Sequence, residues 1–416
     1  MGSRRSLPGR AALGIAAALT LAAPARLVAE TITFLTWNHP NYEARYREAI
    51  SEFEAEHEGV TVEWLDKKGT EYATFFQTQL VAGTPPDVVQ LQGMLWLEYA
   101  DAGAIADLSP RMPEVEGRFE PGILDYWEYQ GKQWVVPSQY GKTLLHYNRP
   151  MLAEAGIEGP PETLDELLDQ AKKLADPDGA RAGFLTLNFD WQYWPLFAIR
   201  GIDFLNEDMS EAAFNTPDAV ELVGTLAELT REGVISATSW TGRWVEPNGE
   251  FAAGRAALYL TAYSAYGWFK APAEWANPDT LGSAQFPDLW AVPVPQGWAI
   301  AKDSEHQDLA WAFIEHMTSK KWAMDYGRMH NLLSGNIEAD RENIAHFEKE
   351  DPVSARILEL NLEGLDKTTG AWKTPKDALL KEAFWPEIQS ALLGQKSPQD
   401  ALDEAERKVN RALRRR

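Results

Sequence analysis

The sequence predicts an α/β protein built from more than one domain, and three observations predict it. A chain of 416 residues is longer than one hydrophobic core usually organises. Hydrophobic residues make up 45% and charged residues 24%, the balance of a globular chain and not of a disordered one. Short runs with the two-residue period of strands alternate with longer runs at helical spacing, which predicts a mainly parallel sheet covered by helices.

The elements follow in order. TITFLTW, at 31–37, alternates like a strand. NYEARYREAISEFEAEHEG then places Tyr42, Tyr46, Ala49, Ile50 and Phe53 at helical spacing before a stop at Gly59. VTVEWL gives a second strand, EYATFFQTQLVAG a second helix, and DVVQL a third strand after the turn-forming AGTPP. Beyond LLHYN, PPETLDELLDQAKKLADP supplies Thr163 as N-cap with Glu166 as capping-box partner, and Leu164, Leu167, Leu168, Ala171 and Leu174 form the buried stripe. The last helix, SPQDALDEAERKVNRALRRR, opens with Ser397 and Pro398 and runs from acids to bases, as the helix dipole favours. No internal repeat or low-complexity tract interrupts this order.

The first segment is set aside as a leader. SRRSLPGR followed by AALGIAAALTLAA has the basic and apolar regions of a secretory signal, with small residues allowing cleavage after Ala25 or Ala29. Its apolar run of 13 residues falls short of the roughly 20 that span a bilayer. SRRSL also resembles a twin-arginine signal, although a basic leader explains it more simply. Without cysteine there is no thiol for a lipid anchor or disulfide, so the mature chain is expected to be free in the periplasm. A formal charge of -23 disfavours nucleic acid and anionic membranes as partners.

Taken together, the fragments resemble a family: the periplasmic sugar-binding proteins of ABC importers, the branch that includes maltose-binding protein. The resemblance is carried in order by ITFLTW, FEAEHEGVTVEW, LVAGTPPDVVQL, YADAGAIADL, GKQWVVPSQYGKTLLHYNRPMLAEAGIEGPPETLDEL, FAAGRAALYLTAYSAYGW, GWAIAKDSEHQDLAWAFIEHMTS and AFWPEIQSALLGQKSPQDALDEA. It implies a two-lobed periplasmic-binding-protein fold, a hinge crossed three times, and a ligand cleft between the lobes. By resemblance the crossings fall near Leu145 to Asn148, Trp298 to Ala301 and Ser334 to Asn336. The implied limits are 1–29 for the signal, 30–146 with 299–334 for the N-terminal lobe, and 147–298 with 335–416 for the C-terminal lobe. The implied activity is binding of a mono- or oligosaccharide by a monomer and its delivery to the importer's membrane subunits, without catalysis or cofactor.

A sugar offers apolar ring faces and a rim of hydroxyls, so its site needs aromatic platforms and planar polar groups. The chain has 17 tryptophans, most of which any fold would use as core. In DWQYWPLFAIRG the family match makes Trp191 the platform and Trp194 lobe packing; Asp190 serves either a sugar hydroxyl or a turn. AFWPEIQSALLG matches a second stacking position at Trp385. In LYLTAYSAYGW the family's Gly-x-Trp is replaced by Ala262, Tyr263 and Ser264, so stacking is expected to pass to Tyr263 or Tyr266. From the other lobe, Trp37, Asn38, Gln92 and Gly93 follow strands, where ligands of open sheets collect. Met94 and the pair Gln139 and Tyr140 stand where maltose-binding protein carries acids, so maltose itself is not implied. Gly297 and Trp298 either approach the ligand or pack the hinge.

Other chemistries are weaker. The seven histidines show no paired metal-ligand spacing, and neither a phosphate-cradling GxxxxGK nor a GxSxG elbow occurs. The rival readings are an exported glycosidase, which needs only two suitably spaced acids, and the same fold binding a glycerol phosphate.

Overall fold

Two β-sheets head the two lobes. The computed structural model describes residues 1–2, 30–37, 43–93, 95–188, 190–285, 288, 293–365 and 374–415, and only the backbone at Thr70 and at 190–194. The first sheet contains β1 (Glu30–Trp37), β2 (Val60–Lys67) and β3 (Val88–Gln92), and the chain then makes a small β4 (Glu128–Tyr129) and β5 (Lys132–Gln133) hairpin. Next come β6 (Val136–Gln139), β7 (Thr143–Asn148), β8 (Ala182–Leu185), β9 (Ala256–Ala262), β10 (Leu281–Gln285) and β11 (Gln296–Ile300). The first sheet runs β2-β1-β3-β11-β6 and the second β10-β7-β9-β8.

β1 is parallel to β2 and β3, as the strand-helix-strand alternation predicts, while β11 returns antiparallel between β3 and β6. The second sheet departs from the mainly parallel expectation, because β7 is antiparallel to both β9 and β10 and only β8 with β9 is parallel. The cause is the long-range return of β9 and β10 to β7, which local alternation does not encode.

Side-chain alternation splits the first sheet into two packed faces. Phe34 and Trp298 pack on one face with rings 5.2 Å apart, and Phe313 of the Gln307–Met317 helix meets Phe34 at 5.0 Å. Leu35, Val89 and Leu91 pack on the other, with Tyr72 and Phe76 of the Gly69–Ala82 helix. In the second lobe the Leu164–Leu174 helix buries Leu164, Leu167, Leu168, Ala171 and Leu174, all five expected residues. Its cap forms from Glu166 N–H to Thr163 Oγ1 at 3.2 Å, whereas the Glu166 carboxylate reaches Glu162 N–H and not that of Thr163. It lies so close to β8 that a Cβ at Gly183 would sit 1.8 Å from the Ala171 carbonyl oxygen.

The sheets also show where the chain changes sheet. Thr143–Asn148 is one strand of the second sheet and Gln296–Ile300 one strand of the first, so the expected crossings at Leu145–Asn148 and Trp298–Ala301 move. The chain leaves the first sheet for the second at 140–142 and re-enters the first at Gln296, after β10 ends at Gln285. A strand buried on both faces reads as one apolar run, and such a run carries no mark of the sheet it joins. In the third stretch, Tyr140 N–H donates to the Leu333 carbonyl at 2.7 Å and Phe119 bridges Asn336, which lays 333–336 beside the first passage. Before it, Tyr326 of the Lys320–His330 helix lies 6.4 Å from Tyr46; after it, the Pro352–Leu362 helix packs on β10.

Candidate functional site

The carboxyl ends of the parallel strands of both lobes meet at the first passage. β1 and β3 end at Trp37 and Gln92, and β6 ends at Gln139, next to the start of antiparallel β11. In the second sheet, β8, β9 and β10 end on the side where β7 begins at Thr143. Only 140–142 separates Gln139 from Thr143, so the two edges face each other across one short connection. Strand ends leave side chains and loops free of the ladder, which makes such an edge the ligand-collecting end of an open α/β sheet.

On the first edge, a row of amides fixes the strands. Trp37 N–H donates to Gln90 Oε1 at 3.1 Å, and Gln90 Nε2 donates to Gln296 Oε1 at 2.8 Å in a buried bond. Trp37 is half-buried over the start of the next helix, where a Cβ at Gly69 would come 2.6 Å from its indole nitrogen. Gly93 is enclosed, with its N–H donating to Pro295 O at 2.9 Å and its carbonyl accepting from Tyr126 Oη at 2.9 Å. A Cβ there would meet that hydroxyl at 2.7 Å, so the glycine admits Tyr126.

Gln139 joins the two lobes. Its Nε2 donates to Tyr263 Oη at 2.7 Å, and its Oε1 accepts from Tyr326 Oη at 3.2 Å. Tyr263 follows β9 and is 1% exposed; burial, with Tyr326 beside it, pushes its hydroxyl well above the ordinary tyrosine value and keeps it neutral. The ring lies against the passage itself, because a Cβ at Gly141 would fall 1.9 Å from Tyr263 Cδ1. Tyr263 thus bonds across the lobes and has no face open for stacking.

Several other expected residues are also core. Tyr140 is fully buried with Ile123, Leu333 and Leu358. Trp298 is 2% exposed within the first sheet's core, and at Gly297 a Cβ would meet Val136 O at 2.5 Å, so that glycine permits the β11-β6 approach. Tyr266 is buried and donates to Asp351 Oδ1 at 3.1 Å, with Lys270 reaching the other carboxylate oxygen at 3.4 Å. Ser264 and Gln92 are half-buried at their edges, and Trp385 is half-buried beside Phe384 at 6.3 Å. The backbone at Asp190 and Trp191 opens the Asp190–Ile199 helix just after β8; their side chains, and Asn38, lie outside the described residues.

The structure adds residues that the sequence reading passed over. Gln90 and Gln296 are polar side chains inside apolar strands, and that mismatch was the available signal. Tyr126 and Tyr326 carry no local signal, since their partners are far along the chain. Lys142 sits in the passage at 2% exposure, with its backbone N–H on Asn361 Oδ1 at 2.8 Å and its ammonium on the Glu363 carbonyl. It caps the carboxyl end of the Pro352–Leu362 helix, the favourable end for a cation.

Known proteins resemble this chain in sequence and in fold. The erythritol/L-threitol-binding protein of Mycolicibacterium smegmatis is 26% identical over 357 residues, 74% of this chain and 70% of that protein. The sn-glycerol-3-phosphate-binding periplasmic protein UgpB of Escherichia coli K12 is 24% identical over 342 residues, 76% of this chain and 74% of that one. In fold, the substrate-binding protein Lmo0181 of Listeria monocytogenes, solved with cycloalternan, superposes with a TM-score of 0.77 at 22% identity, over 92% of this chain and 98% of that one. Residues 36–324 match the bacterial extracellular solute-binding protein profile. Since that stretch covers well over half of the chain and most of both sheets, the chain belongs to the bacterial extracellular solute-binding protein family.

Proposed function

We propose that this protein binds a carbohydrate, a mono- or oligosaccharide, between its lobes and delivers it to the membrane subunits of an ABC importer. The observation that carries the reading is the meeting of two sheet edges at one short passage, bridged by Gln139 and Tyr263. A ligand that touches both edges stabilises the closed arrangement by its differential affinity, and closure gives the importer a shape to recognise. Trp37, Trp191 and Trp385 are the platforms in this reading, with Asp190, Gln92 and Ser264 for hydroxyls. The protein acts without catalysis, as a monomer in the periplasm, after a leader within 1–29 directs its export. The lobe limits in this reading follow sheet membership, with the first passage at 140–142 and the second between Gln285 and Gln296.

The likeness to UgpB supports a second ligand class, a glycerol phosphate. A thermal-shift screen of the mature protein against monosaccharides, oligosaccharides, sugar alcohols and glycerol phosphates separates the two. A ligand at 100 times its Kd stabilises by roughly 2.7 kcal/mol. A saturable shift from one sugar class, with the compound recovered intact, is the expected outcome. A response to glycerol phosphates alone moves the reading to the second class, and hydrolysis of the sugar removes the receptor reading. Trp191→Ala and Trp385→Ala are each expected to weaken binding by about 1 to 3 kcal/mol in calorimetry; unchanged affinity in both removes these platforms.

A further inference from the structure

Lys142 is tied to the second lobe through its backbone and its side chain alike. Its N–H donates to Asn361 Oδ1 at 2.8 Å, its carbonyl accepts from Tyr263 N–H at 3.0 Å, and its ammonium donates to the Glu363 carbonyl. Tyr263 follows β9, and Asn361 lies in the last turn of the Pro352–Leu362 helix. That helix is held to the second lobe at both ends. Asp351 at its start accepts from Tyr266 Oη at 3.1 Å, and the Leu360 carbonyl near its end accepts from Gln285 Nε2, at the close of β10, at 2.8 Å.

Two residues earlier the backbone belongs to the other side. Gln139 ends β6 in the first sheet, and Tyr140 N–H donates to Leu333 O at 2.7 Å, just beyond the Lys320–His330 helix. Gly141 therefore stands alone between an anchored Tyr140 and an anchored Lys142. An ammonium at 2% exposure has lost its water, and burial of a charge is costly unless it is compensated. The carboxyl end of a helix compensates it with partial negative charge and free carbonyls. A methionine would fill similar space without that cost, so the charge here adds direction to the packing: it holds the backbone at 142 to the helix end.

We propose that Lys142 is a positioning residue for closure, pinning the second-lobe end of the first passage so that the lobes turn there at Gly141 and not over a longer stretch. This rests on the closing motion proposed above and not on the ligand's identity. A pivot of one residue keeps the two strand edges facing each other as the lobes move. With the pin removed, the free protein spends part of its time with the edges misaligned, and apparent affinity falls with the competent fraction.

The chain has no cysteine, so spin labels can be placed singly and read by double electron–electron resonance. Val81→Cys on the Gly69–Ala82 helix and Val245→Cys on the Val245–Ala252 helix span the lobes, at residues 91% and 79% exposed. Val245→Cys with Leu393→Cys, after the Asp377–Leu392 helix, reports within the second lobe. Without ligand, Lys142→Met is expected to widen or shift the distance distribution between lobes and to leave the one within the lobe as in the wild type. An unchanged distribution between lobes in the folded variant overturns the proposal. A change in both pairs also overturns it, because the lysine then only supports the second lobe. Asn361→Ala, which removes the acceptor of the Lys142 N–H, carries the same test if Lys142→Met does not fold. Since no ligand enters the comparison, an error in the ligand class leaves the result readable.

Discussion

Gly141 has no room for any other residue, because a Cβ there falls 1.9 Å from the ring of a fully buried tyrosine. Gly141→Ala is expected to cost about 1 to 3 kcal/mol, as overpacked cores do, and to break the bond from Gln139 to Tyr263. Urea unfolding and ligand titration of the variant check both effects. Two buried titratable groups give opposite pH responses. Burial pushes His146 down to about 3, so its neutral form favours folding above the ordinary histidine value of about 6.5, and that stability is lost as pH falls below it. Burial pushes Asp340 up to about 7, against the hydrogen bonds it accepts from Ser334 and Gly335, so its contribution is present in acid and is lost as pH rises toward 7. His146→Gln should therefore weaken the loss of stability between pH 6.5 and 5, and Asp340→Asn the loss between pH 5 and 7. Urea midpoints at the three pH values test this, and a parallel response of both variants contradicts it. At this scale the sequence showed which residue types a sugar needs but not which way they face. Tyr140, Trp298 and Tyr263 were candidate ligand contacts, and each is buried because its partners, Leu333, Phe34 and Gln139, are distant in sequence.

Helices were legible wherever one face of one segment decided the outcome. The Leu164–Leu174 stripe and the Ser397 cap of the Pro398–Leu413 helix both needed only local spacing and a side-chain oxygen. Sheet order was not legible, since β7 looks the same in either sheet until β9 and β10 return to it. The clasp between the last two helices shows the same limit. Glu387 of the Asp377–Leu392 helix, with a side chain 7% exposed, pairs with Lys396 and with Lys408 of the terminal helix. Its burial raises the carboxyl, but the two lysines outweigh that and hold it below the usual carboxylate range. Both lysines are more than a third exposed, so solvent screens the pair and Glu387→Gln is expected to cost about 1 to 2 kcal/mol. Because the carboxyl is depressed, the stability it provides is present at neutral pH and is lost as pH falls through its lowered value. The wild-type advantage over Glu387→Gln in melting temperature should thus shrink in acid; an advantage that grows in acid rules the clasp out.

Over the whole molecule, charge and lobe order act together. The order of motifs along the chain made the two-lobed architecture legible, because it spans both sheets, whereas the platforms themselves depend on side-chain direction at a few strand ends. Charge is legible from counts alone: 62 acids stand against 39 lysines and arginines. Removing residues 1–25 takes away Arg4, Arg5 and Arg10 and no acid, which changes -23 to -23 - 3 = -26. Two opposing salt effects follow. Surface pairs such as Arg47 with Glu43 weaken when screened, but each is worth only about 0 to 1 kcal/mol. The surplus acids repel one another over the whole surface, and screening relieves that repulsion as the Debye length falls from about 30 Å at 0.01 M salt to about 8 Å at 0.15 M. With every cation outnumbered, relief of repulsion should win, and the melting temperature at pH 7 should be higher in 150 mM than in 10 mM sodium chloride. The same comparison near pH 4.8, where the sequence carries no net charge, isolates the cause. There the salt gain should vanish, because only the pairs remain to be screened. A melting temperature that falls with salt at pH 7 would mean that local ion pairs, and not the overall acidity, govern how this chain holds its two lobes together.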